Sequence, residues 1–180
     1  MTQAELLQNG IGRCLQFLGR AGWMISITLS AKTEHGSDYQ VHIDTSISVV
    51  LNGKEYTSSS DIDDSLPYGA CTFDKKIATI LSATEPYRLR SISYDKAHML
   101  HLYFSNGLEI HSVPASWAQG ELWRVFRSWT ADIHLIAYQN KIVEEPSELT
   151  QQELDARRQF WQKKIAQRKT DHNNSTDTTG

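Results

Sequence analysis

Residues 99–111 read Met99-Leu100-His101-Leu102-Tyr103-Phe104-Ser105-Asn106-Gly107-Leu108-Glu109-Ile110-His111 and predict a β-hairpin. Apolar and polar side chains alternate on each side of the Asn106-Gly107 pair, which is the period of a half-buried strand. Asn-Gly is also a strong short-range signal for the turn that joins two antiparallel strands. We therefore expect a protein built mainly from β-strands.

The length of the turn decides which side chains face each other across this hairpin. A two-residue loop would set Phe104 opposite Glu109. A three-residue loop, with its glycine in the left-handed region, sets Phe104 opposite Leu108 and Leu102 opposite Ile110. Because the second arrangement puts the apolar residues on one face, we expect that register.

The same alternation predicts further strands on both sides of the hairpin. The candidates are residues 23–29, 39–43 and 47–51 in the first half, and residues 89–94 and a closing strand at 133–138 in the second. Residues 2–7 predict a short helix, and residues 74–83 are ambiguous between helix and strand. The two halves of the sequence have a similar order of predicted strands and Asn-Gly turns. Either duplication of a β-meander or the general requirements of antiparallel strands and turns would explain this similarity.

A basic amphipathic helix is predicted at residues 150–169. Thr150-Gln151-Gln152-Glu153 has the pattern of a capping box, and apolar residues follow at near-helical spacing: Leu154, Trp161 and Ile165. Residues 1–149 carry 12 basic and 17 acidic side chains and residues 150–180 carry 6 and 4, so the basic character is confined to this segment. A packed surface helix and a docking element are both open interpretations, while the narrow apolar stripe argues against membrane adsorption.

The predicted fold class is α+β, with antiparallel sheets from two hairpin-rich halves and the basic amphipathic C-terminal helix. Residues 1–149 are expected to form a single β-rich domain with a short N-terminal helix. Residues 170–180 are polar and are expected to be a disordered tail.

Composition excludes several classes of function. The chain has 180 residues and a net charge of −3, without the basic footprint that nucleic-acid binding requires. No apolar run approaches the roughly 20 residues that span a bilayer, and the N-terminus lacks the features of a signal peptide. We therefore expect a cytoplasmic protein with no nucleic-acid or membrane partner. Cys14 and Cys71 fit neither a disulfide framework nor a metal or redox spacing and are expected to be buried, inert thiols.

The sequence contains no signature of catalysis or of cofactor binding. It has no Gly-x-Ser-x-Gly elbow, no phosphate loop and no dinucleotide fingerprint, so we expect no catalytic residue and no cofactor. The hairpin register sets His101 opposite His111. Zinc needs three or four ligands, so this pair predicts ordinary surface histidines and no metal site.

Three aspartates, Asp61, Asp63 and Asp64, form an acidic group in a loop-like segment. They lack the glycine and the closing glutamate of a calcium loop. A solvated loop and a mobile acidic surface that neutralises a basic partner are both open interpretations. In the second, the three aspartates are candidate partner contacts, together with Tyr103 and Glu109 on the outer face of the hairpin.

Trp117, Trp123 and Trp129 are spaced six residues apart. Large aromatic side chains usually belong to the core, but tryptophan and arginine also dominate protein interfaces. Core packing, a ligand pocket and an interface therefore all stay open. In the interface interpretation, Trp117, Trp123 and Arg124 are candidate partner-binding residues.

Several segments together resemble a known class of bacterial protein. These segments are Ile11-Gly12-Arg13, Arg20-Ala21-Gly22-Trp23-Met24, Tyr39-Gln40-Val41-His42-Ile43, Leu102-Tyr103-Phe104-Ser105-Asn106-Gly107, Glu121-Leu122-Trp123-Arg124-Val125-Phe126 and His134-Leu135-Ile136. Over residues 11–138 the chain resembles a family of small bacterial proteins and the immunity-protein type found beside secreted polymorphic toxins. It departs from them at Thr45-Ser46-Ile47-Ser48, where an apolar or aromatic continuation would be expected. The resemblance implies a cytoplasmic, β-rich protein that binds another protein.

We therefore expect a non-enzymatic binding protein of the immunity type, which neutralises a partner toxin by occlusion. The alternatives are a small-molecule-binding protein or small enzyme with a tryptophan-lined pocket, and a structural subunit of an assembly.

Overall fold

A computed structural model describes residues 1–31, 37–118, 120–160 and 162–163. The chain divides into two units, one formed by Met1–Ser128 with Asp132–Pro146 and the other by Trp129–Ala131 with Ser147–Gly180. The strands of the first unit are β1 (Leu15–Ala21), β2 (Met24–Leu29), β3 (Tyr39–Ile43), β4 (Ser46–Leu51), β5 (Lys54–Ser58), β6 (Leu89–Tyr94), β7 (Leu100–Phe104), β8 (Leu108–Val113), β9 (Glu121–Arg127), β10 (Ile133–Tyr138) and β11 (Lys141–Pro146). Its helices are α1 (Gln3–Gly10) and α2 (Thr72–Leu81).

The strands form two antiparallel sheets. The six-stranded sheet has the order β1-β2-β3-β9-β10-β11, and the five-stranded sheet has the order β5-β4-β8-β7-β6. Each half of the chain contributes hairpins to both sheets. The predicted α+β class with antiparallel sheets and a C-terminal helix is confirmed.

The hairpin at residues 99–111 has the predicted three-residue register. Leu102 pairs with Ile110 in the ladder between β7 and β8, and both are fully buried. The turn needs two left-handed residues, Asn106 with φ 59° and Gly107 with φ 72°, where the sequence pattern had required only the glycine. Asparagine tolerates this region because its short polar side chain can bond locally.

Four strands were not predicted from the sequence. Three of them, β1, β5 and β11, are edge strands in which buried and exposed residues do not alternate regularly, and the fourth, β9, is an inner strand of the six-stranded sheet. Residues 133–138 were predicted to be the closing strand of the fold. That prediction was wrong, because a further strand, β11, follows β10 and pairs with it at the edge of the sheet. An edge strand has a neighbour on one side only, so fewer of its positions need to be apolar.

The segment that was ambiguous between helix and strand is α2. Cys71 precedes the helix, and its Sγ accepts a hydrogen bond from the Asp74 amide at 3.5 Å. Cys71 is buried as expected, whereas Cys14 is only partly buried. The short N-terminal helix is also present, and Thr2 and Glu5 cap α1 reciprocally.

One hydrophobic core serves the whole first unit. It combines the apolar faces of both sheets with residues of α1 and α2. Strand β3 ends in the six-stranded sheet and β4 begins in the other, and the buried Thr45 lies between them with its hydroxyl donating to the Val113 carbonyl at 2.8 Å. The alternate residues of the inner strands therefore face a single interior.

The second unit contains the predicted C-terminal capping box. Thr150 Oγ1 accepts from the Glu153 amide at 3.3 Å, and the Glu153 carboxylate accepts from the Thr150 amide at 2.8 Å. A helix, α3, follows over residues 151–160. The predictions for Trp161, for Ile165 and for the tail at 170–180 lie outside the described residues. Among the described residues, no helix has the length and the apolar character that a membrane-spanning helix needs.

The two Asn-Gly turns of the five-stranded sheet lie side by side. The Asn52 amide donates to the Gly107 carbonyl at 2.8 Å, and a Cβ atom added to Gly107 would overlap the Asn52 side-chain oxygen. Gly53, in the neighbouring turn, has φ 77° and open space around the same position. These two glycines form a matched pair that differs mainly in crowding.

Replacing Gly107 with alanine is expected to lower the free energy of unfolding by about 2 kcal/mol. Gly53→Ala is expected to cost only about 1 kcal/mol, because it carries the strain of positive φ without the overlap. Urea denaturation of both variants measures the difference. Equal losses would contradict the close packing of the two turns.

Candidate functional site

An exposed loop between β5 and α2 carries the most prominent candidate surface. Asp63, Asp64, Leu66 and Tyr68 are all exposed there, with Tyr68 at 60% and Leu66 at 40%. Phe17 of β1 is 37% exposed. We refer to these five residues as the loop surface.

The phenylalanine and the tyrosine of the loop surface lie next to each other above a glycine. A Cβ atom placed on Gly19 would lie 2.6 Å from the Phe17 ring and 2.8 Å from the Tyr68 hydroxyl. The bare backbone at Gly19 therefore makes room for both aromatic side chains. No local pattern predicts this pairing, because the two aromatic residues are 51 positions apart in the sequence.

A buried ion pair fixes the loop to the body of the unit. Arg20 of β1 donates from Nε to Asp74 Oδ1 at 3.1 Å, and the two side chains are only 6% and 2% exposed. Arg20 also donates to the Leu66 carbonyl at 3.1 Å, and Asp74 Oδ2 accepts from the Gly69 amide at 2.8 Å. Both partners thus bind the loop backbone as well as each other.

The electrostatics of this pair favour its charged form. Burial raises the pKa of Asp74, but hydrogen bonds from Arg20, Cys71 and Gly69 lower it by more than burial raises it. The pKa of Asp74 therefore lies below its ordinary value. The hydrogen bond with Asp74 raises the pKa of Arg20. The charged pair favours one loop conformation, because releasing the loop would break the hydrogen bonds that Leu66 and Gly69 make with the two charged side chains.

The three predicted aspartates have different environments. Asp61 accepts from Lys76 at 2.9 Å and from Thr57 at 2.7 Å, and these bonds lower its pKa. Its charge is therefore largely compensated within the protein. Asp63 accepts from the Ser65 amide and hydroxyl, which lower its pKa, and its carboxylate lies on an exposed turn.

Asp64 is the third member of the acidic group. Its Oδ1 lies 3.7 Å from Arg20, too far for a hydrogen bond, and a third of its side chain is exposed. Asp63 and Asp64 are therefore the two aspartates that a partner could reach. The sequence left a solvated loop and a mobile acidic surface both open, and in the structure hydrogen bonds from Arg20 and Asp74 hold the loop backbone.

The predicted hairpin residues Tyr103 and Glu109 lie on the outer face of the five-stranded sheet. They are paired in the ladder between β7 and β8, and Tyr103 is 38% exposed. Glu109 Oε2 accepts from His111 Nε2 at 2.9 Å, and the Tyr103 ring meets His111 edge-on with 5.4 Å between ring centroids. His101 lies beside His111, and their Nδ1 atoms are 2.9 Å apart.

The three spaced tryptophans do not form one pocket. Trp123 is fully buried in the core and donates from its indole to the His98 carbonyl at 2.6 Å, so its candidate role as a partner contact is wrong. Trp129 belongs to the second unit. Trp117 is 48% exposed, and its ring centroid lies 6.1 Å from that of Trp23.

Trp23 is a candidate that the sequence pattern missed. Alternation with Ile25 placed it on the core face of a strand, but β2 begins only at Met24 and Trp23 is 54% exposed. The chain turns at Gly22, where φ is 63°. That glycine was the available signal. The two exposed indoles line an open concavity of about 300 Å³.

Arg124, the remaining candidate, lies on the outer face of the six-stranded sheet. Its guanidinium makes two bonds to Glu121, at 3.1 and 2.9 Å, and these raise its pKa. It also lies 3.1 Å from His134 Nδ1. Nearby, burial lowers the pKa of His42, whose ring meets Phe126 edge-on. Arg124 therefore contacts Glu121 and His134, and His42 contacts Phe126, on this face of the sheet.

The predicted site residues thus occupy three separate parts of the first unit: the α2 loop, the outer face of the five-stranded sheet and the six-stranded sheet with its flanking loops. Among the described residues there is no group of three or more metal-ligating side chains. The molecule is a mostly β protein of the α+β class with a fixed acidic and aromatic loop surface. We compared the chain with protein-family models, curated proteins and solved structures, and none of these comparisons found a match.

Proposed function

We propose that this protein is a non-enzymatic, cytoplasmic binding protein of the immunity type, which neutralises a toxin by covering its active surface. The loop surface is the proposed contact. The observation that carries the proposal is the buried pair between Arg20 and Asp74, which fixes a loop whose apolar side chains face solvent.

A fixed loop favours tight binding for an entropic reason. Ordering a flexible loop on association costs about 0.5–1.5 kcal/mol for each immobilised side chain, and a loop already held in place avoids much of that cost. Here the backbone at Leu66 and Gly69 is bonded to the ion pair before any partner arrives. The folded protein therefore presents a preformed surface.

The chemistry of the loop surface suits a basic partner. Tyr68 and Phe17 supply aromatic area of the kind that dominates binding energy at interfaces. Asp63 and Asp64, in the same loop as Tyr68, add two exposed carboxylates, of which Asp64 also forms an ion pair with Arg20 at 3.7 Å. Acidic groups at the rim of an apolar contact accelerate association with a positively charged surface, such as the phosphate-binding site of a nuclease.

The proposal is tested by affinity capture from the native host, followed by expression of the captured protein. We expect one stoichiometric partner that is toxic when expressed alone and harmless when co-expressed with this chain. Tyr68→Ala is expected to weaken the complex at least 10-fold, and reversal of both exposed aspartates to lysine is expected to weaken it similarly.

Two control variants separate the loop surface from the other candidates. Tyr103→Ala removes an exposed tyrosine from the hairpin face, and Glu85→Lys reverses an exposed charge between α2 and β6. Both are expected to leave binding within twofold. A folded protein that captures no partner, or a toxin complex that is insensitive to Tyr68→Ala, would contradict the proposal.

A second candidate function is the binding of a small apolar molecule between Trp23 and Trp117. The supporting observation is the open concavity that these two exposed indoles line. Tryptophan fluorescence during titration with aromatic fragments tests it. Trp117→Ala should abolish a saturable change if the concavity is a ligand site.

A further inference from the structure

The cross-strand pair of His101 and His111 has an unusual arrangement of ring nitrogens. The two Nδ1 atoms face each other at 2.9 Å. Each Nε2 atom faces a carboxylate, at 3.4 Å to Asp95 for His101 and at 2.9 Å to Glu109 for His111. The two side chains are 25% and 19% exposed, so solvent reaches the pair.

The protons on these rings follow from the partners. An ionised carboxylate can only accept a hydrogen bond, so each Nε2 must carry the hydrogen. A neutral imidazole has one hydrogen, and each Nδ1 is then left with a lone pair. Two lone pairs at this separation repel each other, and a metal ion that binds both nitrogens removes the repulsion.

We propose that His101 and His111 bind a divalent late transition metal through their Nδ1 atoms, with copper(II) as the preferred ion. Water fills the other coordination positions. The proposal concerns the outer face of the five-stranded sheet and is independent of the proposed toxin partner.

The separation of the two nitrogens selects the metal geometry. With metal–imidazole bonds of about 2.0–2.1 Å, a right angle at the metal sets neighbouring ligand atoms about 2.9 Å apart, whereas a tetrahedral angle sets them about 3.3–3.4 Å apart. The observed 2.9 Å matches neighbouring positions of a square-planar or octahedral ion. Copper(II) and nickel(II) prefer such geometries, and copper(II) binds most tightly among the divalent first-row ions.

Asp95 and Glu109 would act as positioning residues for the two ligands. A histidine that binds a metal usually donates its other ring N–H to a carboxylate, which fixes the ring and increases its basicity. Asp95 is itself held by the amides of Met99 and Ala97, at 2.9 and 2.8 Å. Asp95 and Glu109 therefore lie where the carboxylate partners of metal-binding histidines usually lie.

The test is a titration of the tag-free, full-length protein with copper(II), followed by calorimetry and electron paramagnetic resonance. We expect one bound ion with nitrogen hyperfine structure from two imidazoles. His101→Gln and His111→Gln are each expected to lower the affinity at least 10-fold, and Glu109→Gln is expected to lower it about 10–100-fold. His42→Gln, on the other sheet, is the matched control and should leave the affinity within twofold.

Nickel(II) provides a second probe that does not oxidise the partly buried Cys14 thiol. The affinities of the variants for nickel(II) should follow the same order as their affinities for copper(II). Circular dichroism establishes that each variant is folded, and the two histidine variants test the pair independently. Equal affinities of the native protein and both histidine variants, or a copper spectrum without nitrogen coupling, would overturn the proposal.

Discussion

Replacing Arg20 with alanine is expected to lower the free energy of unfolding by about 3 kcal/mol, because it leaves Asp74 buried without its cation. The Asp74 side chain is only 2% exposed, so water cannot replace the lost guanidinium without rearrangement of the loop. Removing one member of a buried pair costs more than the pair itself contributes, since the remaining charge is desolvated and unpaired.

Urea denaturation of Arg20→Ala beside Lys76→Ala gives the comparison. Lys76 pairs with Asp61 at 2.9 Å, but the two side chains are 36% and 28% exposed, and such a pair contributes less than about 1 kcal/mol. Similar losses in the two variants would contradict a structural role for the buried pair. Hydrogen exchange at Leu66 and Gly69 should also accelerate in Arg20→Ala, because the loop backbone loses its anchor.

The pair also gives stability a defined pH dependence. The folded pKa of Asp74 lies below its ordinary value of 3.8. The unfolded chain therefore binds a proton at higher pH than the folded chain does. The contribution of Asp74 is complete above the ordinary value and is lost as the pH falls through the folded value. Asp74→Asn should be less stable than the native protein at neutral pH, and this difference should shrink in acid.

Replacing Trp123 with alanine is expected to lower the free energy of unfolding by about 3–5 kcal/mol. Its side chain is fully buried, and its removal leaves a cavity between the sheets and an unpaired carbonyl at His98. The Tyr94 ring lies 5.9 Å away, centroid to centroid, and would lose this contact. Trp123→Phe should lose less, because a phenyl ring fills part of the cavity.

Trp117→Ala is the matched control for Trp123. Its indole is 48% exposed, and substitutions at exposed positions usually change stability by less than about 0.5 kcal/mol. Thermal and urea denaturation measure both variants. A small loss in Trp123→Ala would contradict its position in the core and restore it as a surface candidate.

Several local features were predictable because neighbouring residues determine them. The hairpin register follows from alternation around Asn106-Gly107, and the C-terminal capping box follows from residues only three positions apart. The inner strands β2, β3 and β4 were predictable for the same reason, since alternate residues face the core. In these strands the apolar positions of the sequence are the positions that are buried.

The candidate surfaces were predictable only in part. Asp63 and Asp64 were found because acidic residues cluster in the sequence, but the pattern could not tell them from Asp61, which bonds to Lys76 on α2. Trp123 was placed among the contact candidates because nothing local distinguishes a buried indole from an exposed one. The burial of an indole depends on how distant strands pack, so the spacing of tryptophans in the sequence does not predict it.

The sequence by itself determined the α+β class, the turn and its register, the capping box of the C-terminal helix and the pairing of His101 with His111. Tertiary structure decided which hairpins share a sheet and where the loop before α2 is fixed. Arg20 and Asp74 lie 54 positions apart and meet only when α2 packs beside β1. Local patterns record which side chains are buried, whereas pairing between distant residues depends on the whole chain folding at once.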